Sequence, residues 1–107
     1  MKKKIFTANA PAAIGPYSQA ILSNKTLYCS GQIALDIDGN LQNSNIEDET
    51  FQIFKNINSI LKEANMTFEN IVKSTIFLKN MDDFSTVNTV YAKHFKSTPP
   101  ARETVEV

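Results

Sequence analysis

The chain has one cysteine, one histidine, three glycines and no tryptophan among its 107 residues. Each scarcity closes a route. With Cys29 alone there is no intrachain disulfide, which excludes the small disulfide-stapled secreted folds. Cys29 and His94 together fall short of the ligand sets that hold structural or catalytic zinc. Gly15, Gly31 and Gly39 are too scattered to form a phosphate-cradling loop. No apolar run approaches the roughly 18 residues needed to span a bilayer. Charge of one sign is also missing: 11 basic residues balance 11 acidic ones. No net field therefore draws the protein to nucleic acid or to an anionic membrane. Lys2-Lys3-Lys4, the one basic cluster, reads as a solvated end. Ala8-Asn9-Ala10 resembles a signal-peptide cleavage site. Only Ile5 and Phe6 separate it from the lysines, however, where a secretory signal carries about 7–15 apolar residues. The expectation is a cytosolic protein with no metal or other cofactor.

What is present suits one globular domain over residues 1–107, with 42% hydrophobic residues. Ile5-Phe6 starts a strand, and Pro11, Gly15 and Pro16 punctuate a loop. Tyr17–Leu22 and Thr26–Leu35 are strand-like about a turn at Ser23-Asn24-Lys25, and Asp38-Gly39-Asn40 is a hairpin signal. Ser44 and Glu47 have capping-box spacing. Phe51, Phe54, Ile57, Leu61 and Ala64 then recur at helical spacing, and Asn65 tolerates a left-handed cap. Asn70–Lys79 reads as a strand that is apolar on both faces. A second helix begins near Asp82 or Asp83 with an inward stripe of Phe84, Val87, Tyr91 and Phe95, and Pro99-Pro100 closes it. Ala101–Val107 alternates as a final strand. This order predicts an α+β fold, with two helices on one face of a single mixed sheet. The other face is then bare, and a partner subunit is the expected cover.

Few residues suggest chemistry by themselves. His94 reads as an ordinary helix residue, and Cys29 as a buried, inert thiol. Strand alternation places Arg102, Thr104 and Glu106 on one face and Glu103, Val105 and Val107 on the other. A guanidinium beside a hydroxyl can grip a carboxylate through two parallel hydrogen bonds. By pattern alone, a surface ion pair between Arg102 and Glu103 or Glu106 is the more ordinary reading.

Several segments go further. Asn9-Ala10-Pro11-Ala12-Ala13-Ile14-Gly15-Pro16-Tyr17-Ser18-Gln19-Ala20 is followed by Ser30-Gly31-Gln32-Ile33 and by Asn70-Ile71-Val72-Lys73-Ser74-Thr75-Ile76-Phe77-Leu78-Lys79. Phe84-Ser85-Thr86-Val87-Asn88 with Tyr91 and Phe95, and Pro100-Ala101-Arg102-Glu103-Thr104-Val105-Glu106-Val107, complete the series. Together they resemble the Rid family, also called YjgF or L-PSP, across nearly the whole chain. The resemblance implies a chorismate-mutase-like mixed sheet, and a homotrimer with sheets inward, helices outward and active sites in clefts between subunits. It also implies hydrolytic deamination of 2-aminoacrylate and 2-aminocrotonate, or their imine tautomers, to 2-keto acids and ammonia. By position, Arg102 would bind the substrate carboxylate, and Tyr17, Ser30, Gly31, Asn88 and Thr104 would line the cleft. Each polar group among these could instead be structural: Tyr17 a packed ring, Ser30 and Thr104 satisfied strand hydroxyls, Asn88 a buried hydrogen-bonding residue.

The family's water-activating glutamate belongs to a further C-terminal strand. This chain stops at Val107 in mid-alternation, so the expectation is a domain lacking that strand. Glu103 and Glu106 do not match the missing glutamate. Two other functions remain open: a non-catalytic trimer that binds small carboxylates, and a ribonuclease. Against the latter stand the neutral charge and an expected shortage of exposed aromatics.

Overall fold

The computed structural model describes residues 1–107. Strands β1 (Lys2–Ile5), β2 (Ala20–Ser23) and β3 (Thr26–Cys29) form an antiparallel sheet in that order. Helix α1 (Ile46–Glu63), strand β4 (Lys73–Leu78), helix α2 (Phe84–Ala92) and strand β5 (Ala101–Glu106) follow. β5 pairs parallel to β4, with Ser74 opposite Arg102 and Ile76 opposite Thr104. The α+β class and both helices agree with the sequence. The strands differ from expectation in being hydrogen-bonded as two sheets: β3 pairs only with β2, and β4 only with β5.

Helix α1 joins the two sheets. Ile60, fully buried, packs with Ile5, Ala10 and Ala20, against Leu22 and Leu27 of the antiparallel sheet. Phe54 packs with Val90 and Tyr91 of α2, and Ile76 of β4 lies against that cluster. Full burial of a side chain of this size contributes about 1.5–3 kcal/mol. The helix begins one residue later than expected. Asn45, not Ser44, is the cap, and its Oδ1 accepts the Asp48 N–H at 2.7 Å. The buried face is also rotated: Phe51 is exposed and Asn56 is buried. The reason is polar. Asn56 Nδ2 donates to the carbonyls of Ile33 (3.1 Å) and Leu35 (2.8 Å), satisfying backbone that has left the sheet. Thr26–Leu35 was expected to be one strand; β3 ends at Cys29, and Ile33 and Leu35 use this amide instead.

Three turns are as expected. Asn24 (φ 55°) turns β2 into β3, Gly39 (φ 84°) turns the 36–40 loop, and Asn65 (φ 58°) follows the end of α1. The only long chemical surprise lies in the loop before β2. Gln19 is 3% exposed. Its Oε1 accepts the Thr7 N–H at 2.8 Å, and its Nε2 donates to the carbonyls of Thr7 and Pro11 at 3.1 and 2.9 Å. One amide thus fixes the path of residues 7–11. Both sheets turn their second face outward. Phe77 (67% exposed) and Val105 (41%) stand opposite each other on the β4–β5 pair, and Tyr28 (62%) lies on the antiparallel sheet. No helix is long and apolar enough to cross a membrane.

Glu69 ties the 3₁₀ turn at Phe68–Asn70 to the chain after α2, accepting from the Ser97 hydroxyl and the Lys96 N–H. The Ser97 hydrogen bond, then the Lys96 N–H and the Lys96 charge, hold its carboxyl below the usual 4.5. A depressed folded-state pKa contributes stability that is complete above the unfolded value and lost as pH falls through the folded one. Thermal melts below pH 4.5 should therefore fall less steeply with acid in Glu69→Gln than in the parent. Parallel acid limbs would show that the contact contributes nothing.

Candidate functional site

Arg102 lies on the β5 face that meets α2. Its guanidinium carbon sits 4.8 Å from the centre of the Tyr91 ring and 5.5 Å from that of Phe84. Neither expected ion pair exists. Glu103 projects from the opposite face, where its Oε1 accepts from Thr75 Oγ1 (2.9 Å) and Lys73 Nζ (3.3 Å). Those contacts, Thr75 first, hold its carboxyl below the usual value, so it stays charged and is a weak base. Glu106 accepts the Met81 N–H at 2.7 Å. Arg102 is thus a cation held by aromatic faces without a counter-ion.

Two of the expected cleft residues sit with it. Thr104 follows two residues along β5 and so shares its face. Asn88 falls one turn after Phe84 and one before Tyr91, on the side of α2 that Arg102 touches. Thr104 Oγ1 and Asn88 Oδ1 are both buried and have no hydrogen-bond partner. An orphaned polar atom of this kind costs about 1–3 kcal/mol, and two of them beside an unpaired guanidinium make an arrangement suited to a polar, anionic ligand. The structural readings of Asn88 and Thr104 as satisfied groups do not hold within the chain.

Tyr17, Ser30 and Gly31 form a second group, in the segments just before β2 and just after β3. Ser30 Oγ donates to the Ser18 carbonyl at 2.6 Å, and the Ser30 N–H to that of Gln19 at 3.0 Å, which brings residues 17–19 against residue 30. The Tyr17 N–H closes a tight turn onto the Gly15 carbonyl at 2.8 Å. Its ring lies over Gly15, whose absent Cβ would stand 3.5 Å from it, and remains 53% exposed. Beside Gly31 there is open space. Tyr17 is therefore presented, not packed, while the Ser30 hydroxyl is already satisfied. No hydrogen bond or ring contact joins this group to Arg102, Asn88 and Thr104; within one chain the six residues form two separate groups.

Other features behave differently from expectation. Cys29 is exposed, not buried, because β3 ends there. Its thiol is nevertheless pushed above the usual value by partial desolvation, which makes it a poor nucleophile. His94 follows α2, with Nδ1 2.9 Å from the Val90 carbonyl and its ring stacked 4.0 Å from Phe54. Aromatics are more exposed than expected, with Phe6, Tyr17, Tyr28, Phe51 and Phe77 all on the surface. Two grooves of about 480 Å³ run along α1, one over Phe51, Phe54 and His94, the other over Asp36, Gln52 and Lys55; neither includes a candidate residue. Sequence reasoning did not single out Tyr91 and Ser74 at this site. Their hydroxyls meet at 2.7 Å beneath Arg102. The sequence signals for them were position, with Tyr91 in the inward helical stripe and Ser74 on the same strand face as Ile76, and their place within the family-like segments.

Known proteins resemble the chain over its whole length. The family model described as endoribonuclease L-PSP matches residues 7–107. A human protein named 2-iminobutanoate/2-iminopropanoate deaminase is 46% identical over 108 residues, covering 100% of this chain and 79% of the human one. A solved Rid-family structure from Yersinia pestis superposes with a TM-score of 0.96 at 52% identity, covering 100% of this chain and 86% of that one. That of RidA from an Antarctic Psychrobacter gives 0.93 at 34% identity, covering 98% and 85%.

Thr104→Val removes the orphaned hydroxyl at nearly constant volume. It should raise stability by about 1 kcal/mol, a gain of several degrees in Tm for a domain of this size. Differential scanning calorimetry reads this directly; an unchanged or lowered Tm would show the hydroxyl to be satisfied in solution.

Proposed function

The chain belongs to the Rid family, whose family model carries the description endoribonuclease L-PSP, and from that footing we infer that it hydrolyses 2-imino acids such as 2-iminobutanoate and 2-iminopropanoate to 2-keto acids and ammonia. The single observation that carries the reading is the Arg102 guanidinium, stacked on Tyr91 and without a carboxylate of its own. Relatives named as deaminases of these imines, at 46–48% identity, supply the substrate class.

The chemistry asks little of the protein. The iminium carbon is electron-poor, and water adds to it to give a carbinolamine. Collapse of that adduct expels the nitrogen as ammonia and leaves the carbonyl of a 2-keto acid. Arg102 takes the carboxylate in a bidentate grip and so fixes the reacting carbon. Asn88 Oδ1 is an acceptor without a partner, free to take a hydrogen bond from the imine N–H or the incoming water. The Thr104 hydroxyl can serve either end. Fixed dipoles in a site that excludes bulk water act more strongly than they would in solution.

Tyr17, Ser30 and Gly31 complete this cleft from a neighbouring copy of the chain. The reading of a homotrimer is supported by the separation of the two groups and by the outward apolar residues Phe77, Val105 and Tyr28, which a partner would cover. A small enzyme with no net charge, clearing reactive imines where pyridoxal-phosphate dehydratases make them, belongs in the cytosol. The exposed aromatics do not revive the ribonuclease reading, since Tyr28 and Phe77 lie on the faces assigned to the partner.

Coupling the protein to a threonine dehydratase and following ammonia and keto-acid release tests the assignment. Release should exceed spontaneous hydrolysis, and Arg102→Ala should reduce that excess by at least about tenfold, as expected for loss of a charge-assisted, bidentate contact. No excess in the parent, or an undiminished excess in Arg102→Ala, would refute it.

A further inference from the structure

We propose that Tyr91 and Ser74 act together as a positioning device for Arg102, holding the guanidinium in place without neutralising it. The inference rests on Arg102 being the carboxylate anchor. It starts from a problem that any such anchor faces. Arginine has a long, rotamer-rich side chain, and a wandering guanidinium binds weakly. An acidic neighbour would fix it, but would also occupy the N–H fork that the substrate needs.

An aromatic face solves both halves of this problem. It attracts the cation over the ring, while the in-plane N–H groups stay free to grip a carboxylate. Tyr91 lies 4.8 Å from the guanidinium carbon and is itself held on several sides. Its ring packs edge-on to Phe54 at 5.6 Å and tilted against Phe95 at 4.8 Å, and only 8% of the residue is exposed. The third hold is polar: its hydroxyl meets Ser74 Oγ at 2.7 Å. Ser74 is the residue directly opposite Arg102 in the β4–β5 register. The strand that carries the arginine is therefore paired to the strand that pins its platform, so ring and guanidinium share one frame. Phe84, at 5.5 Å, offers a second face but has no such tether.

Calorimetry with two ligands separates this role from a purely structural one. 2-Oxobutanoate carries the carboxylate; 2-oxobutanamide replaces it with a neutral group of similar shape. The parent should prefer the acid. Tyr91→Leu should weaken the acid roughly two- to thirty-fold, the range of a cation–π contact, and the amide far less. Tyr91→Phe keeps the ring but frees it from Ser74, and should fall between parent and Leu variant. Ser74→Ala should match Tyr91→Phe, with roughly a threefold loss of preference. The proposal is overturned if Tyr91→Leu weakens both ligands equally, if Tyr91→Phe is as impaired as Tyr91→Leu, or if Ser74→Ala keeps the parent's preference. Should Tyr91→Leu not fold, Ser74→Ala decides alone. A parent that shows no preference for the acid, or an Arg102→Ala variant that retains one, would defeat the carboxylate-anchor reading itself. A preference lost in Arg102→Ala but intact in Tyr91→Leu would defeat only the positioning role.

Discussion

Two sheets that share no hydrogen bond are held in one body by the buried side of a single helix. Ile60 enters the cluster under the antiparallel sheet and Phe54 the cluster shared with α2 and β4. They stand six residues apart, about 9 Å along a rigid helix axis. That spacing sets how far apart the two clusters lie along the helix. Asn56 lies between the two anchors and clips the irregular chain at Ile33 and Leu35 to the same helix. A helix with a purely apolar buried face could not do this, because the carbonyls of residues 33 and 35 would be left without donors, at a cost comparable to an apolar anchor's contribution.

The Arg102 neighbourhood spends some of the stability so gained. An unpaired guanidinium and two buried polar atoms without partners are each unfavourable for an isolated fold. They become favourable when an anionic ligand supplies acceptors and donors together. Local rules broken at one place, with the rest of the chain obeying them, are the usual mark of a functional site. Here the broken rules coincide on three side chains of β5 and α2, whereas the buried amides of Gln19 and Asn56 and the Ser30 hydroxyl find partners. Because contact with the Tyr91 ring fixes position but not charge, Arg102 keeps the character that the proposed carboxylate site requires.

Much of this was legible from residue types and spacing. Period-two alternation placed Arg102 and Thr104 on one face and Glu103 on the other, and left-handed turns were readable from Gly39 and Asn65 because few residues tolerate that backbone. Family motifs pointed to a carboxylate-binding role for Arg102, against a local pattern that favoured an ion pair, and no ion pair formed. What stayed hidden was every choice made by a distant partner. Asn56 and Gln19 look like surface residues until the carbonyls they serve are placed. Ser44 and Asn45 are both good caps, and only the path of the chain selects the second. Glu103 chose Lys73 and Thr75 because parallel pairing with β4 set them beside it, a register that no local signal encodes.

The outward faces of the sheets bear on the proposed assembly. Phe77 and Val105 stand as a cross-strand pair, with Thr75, Lys73 and Glu103 one step away on the same face. A neighbouring copy that covers the apolar pair brings this polar cluster close to low-dielectric surroundings. An isolated lysine or glutamate would resist that transfer, since desolvation of an unpaired ion outweighs the apolar gain. Glu103 is already matched twice, by a hydroxyl and an ammonium, and Lys73 is matched by Glu103. A pair worth little at an exposed surface therefore makes the face tolerant of burial. Charge neutrality of the whole chain helps in the same way, because identical subunits approach without net repulsion. On opposite sides of β5 the proposed trimer and the proposed carboxylate site make matching demands: Glu103 is paired on the face that a copy would cover, and Arg102 is unpaired on the face that a carboxylate would reach.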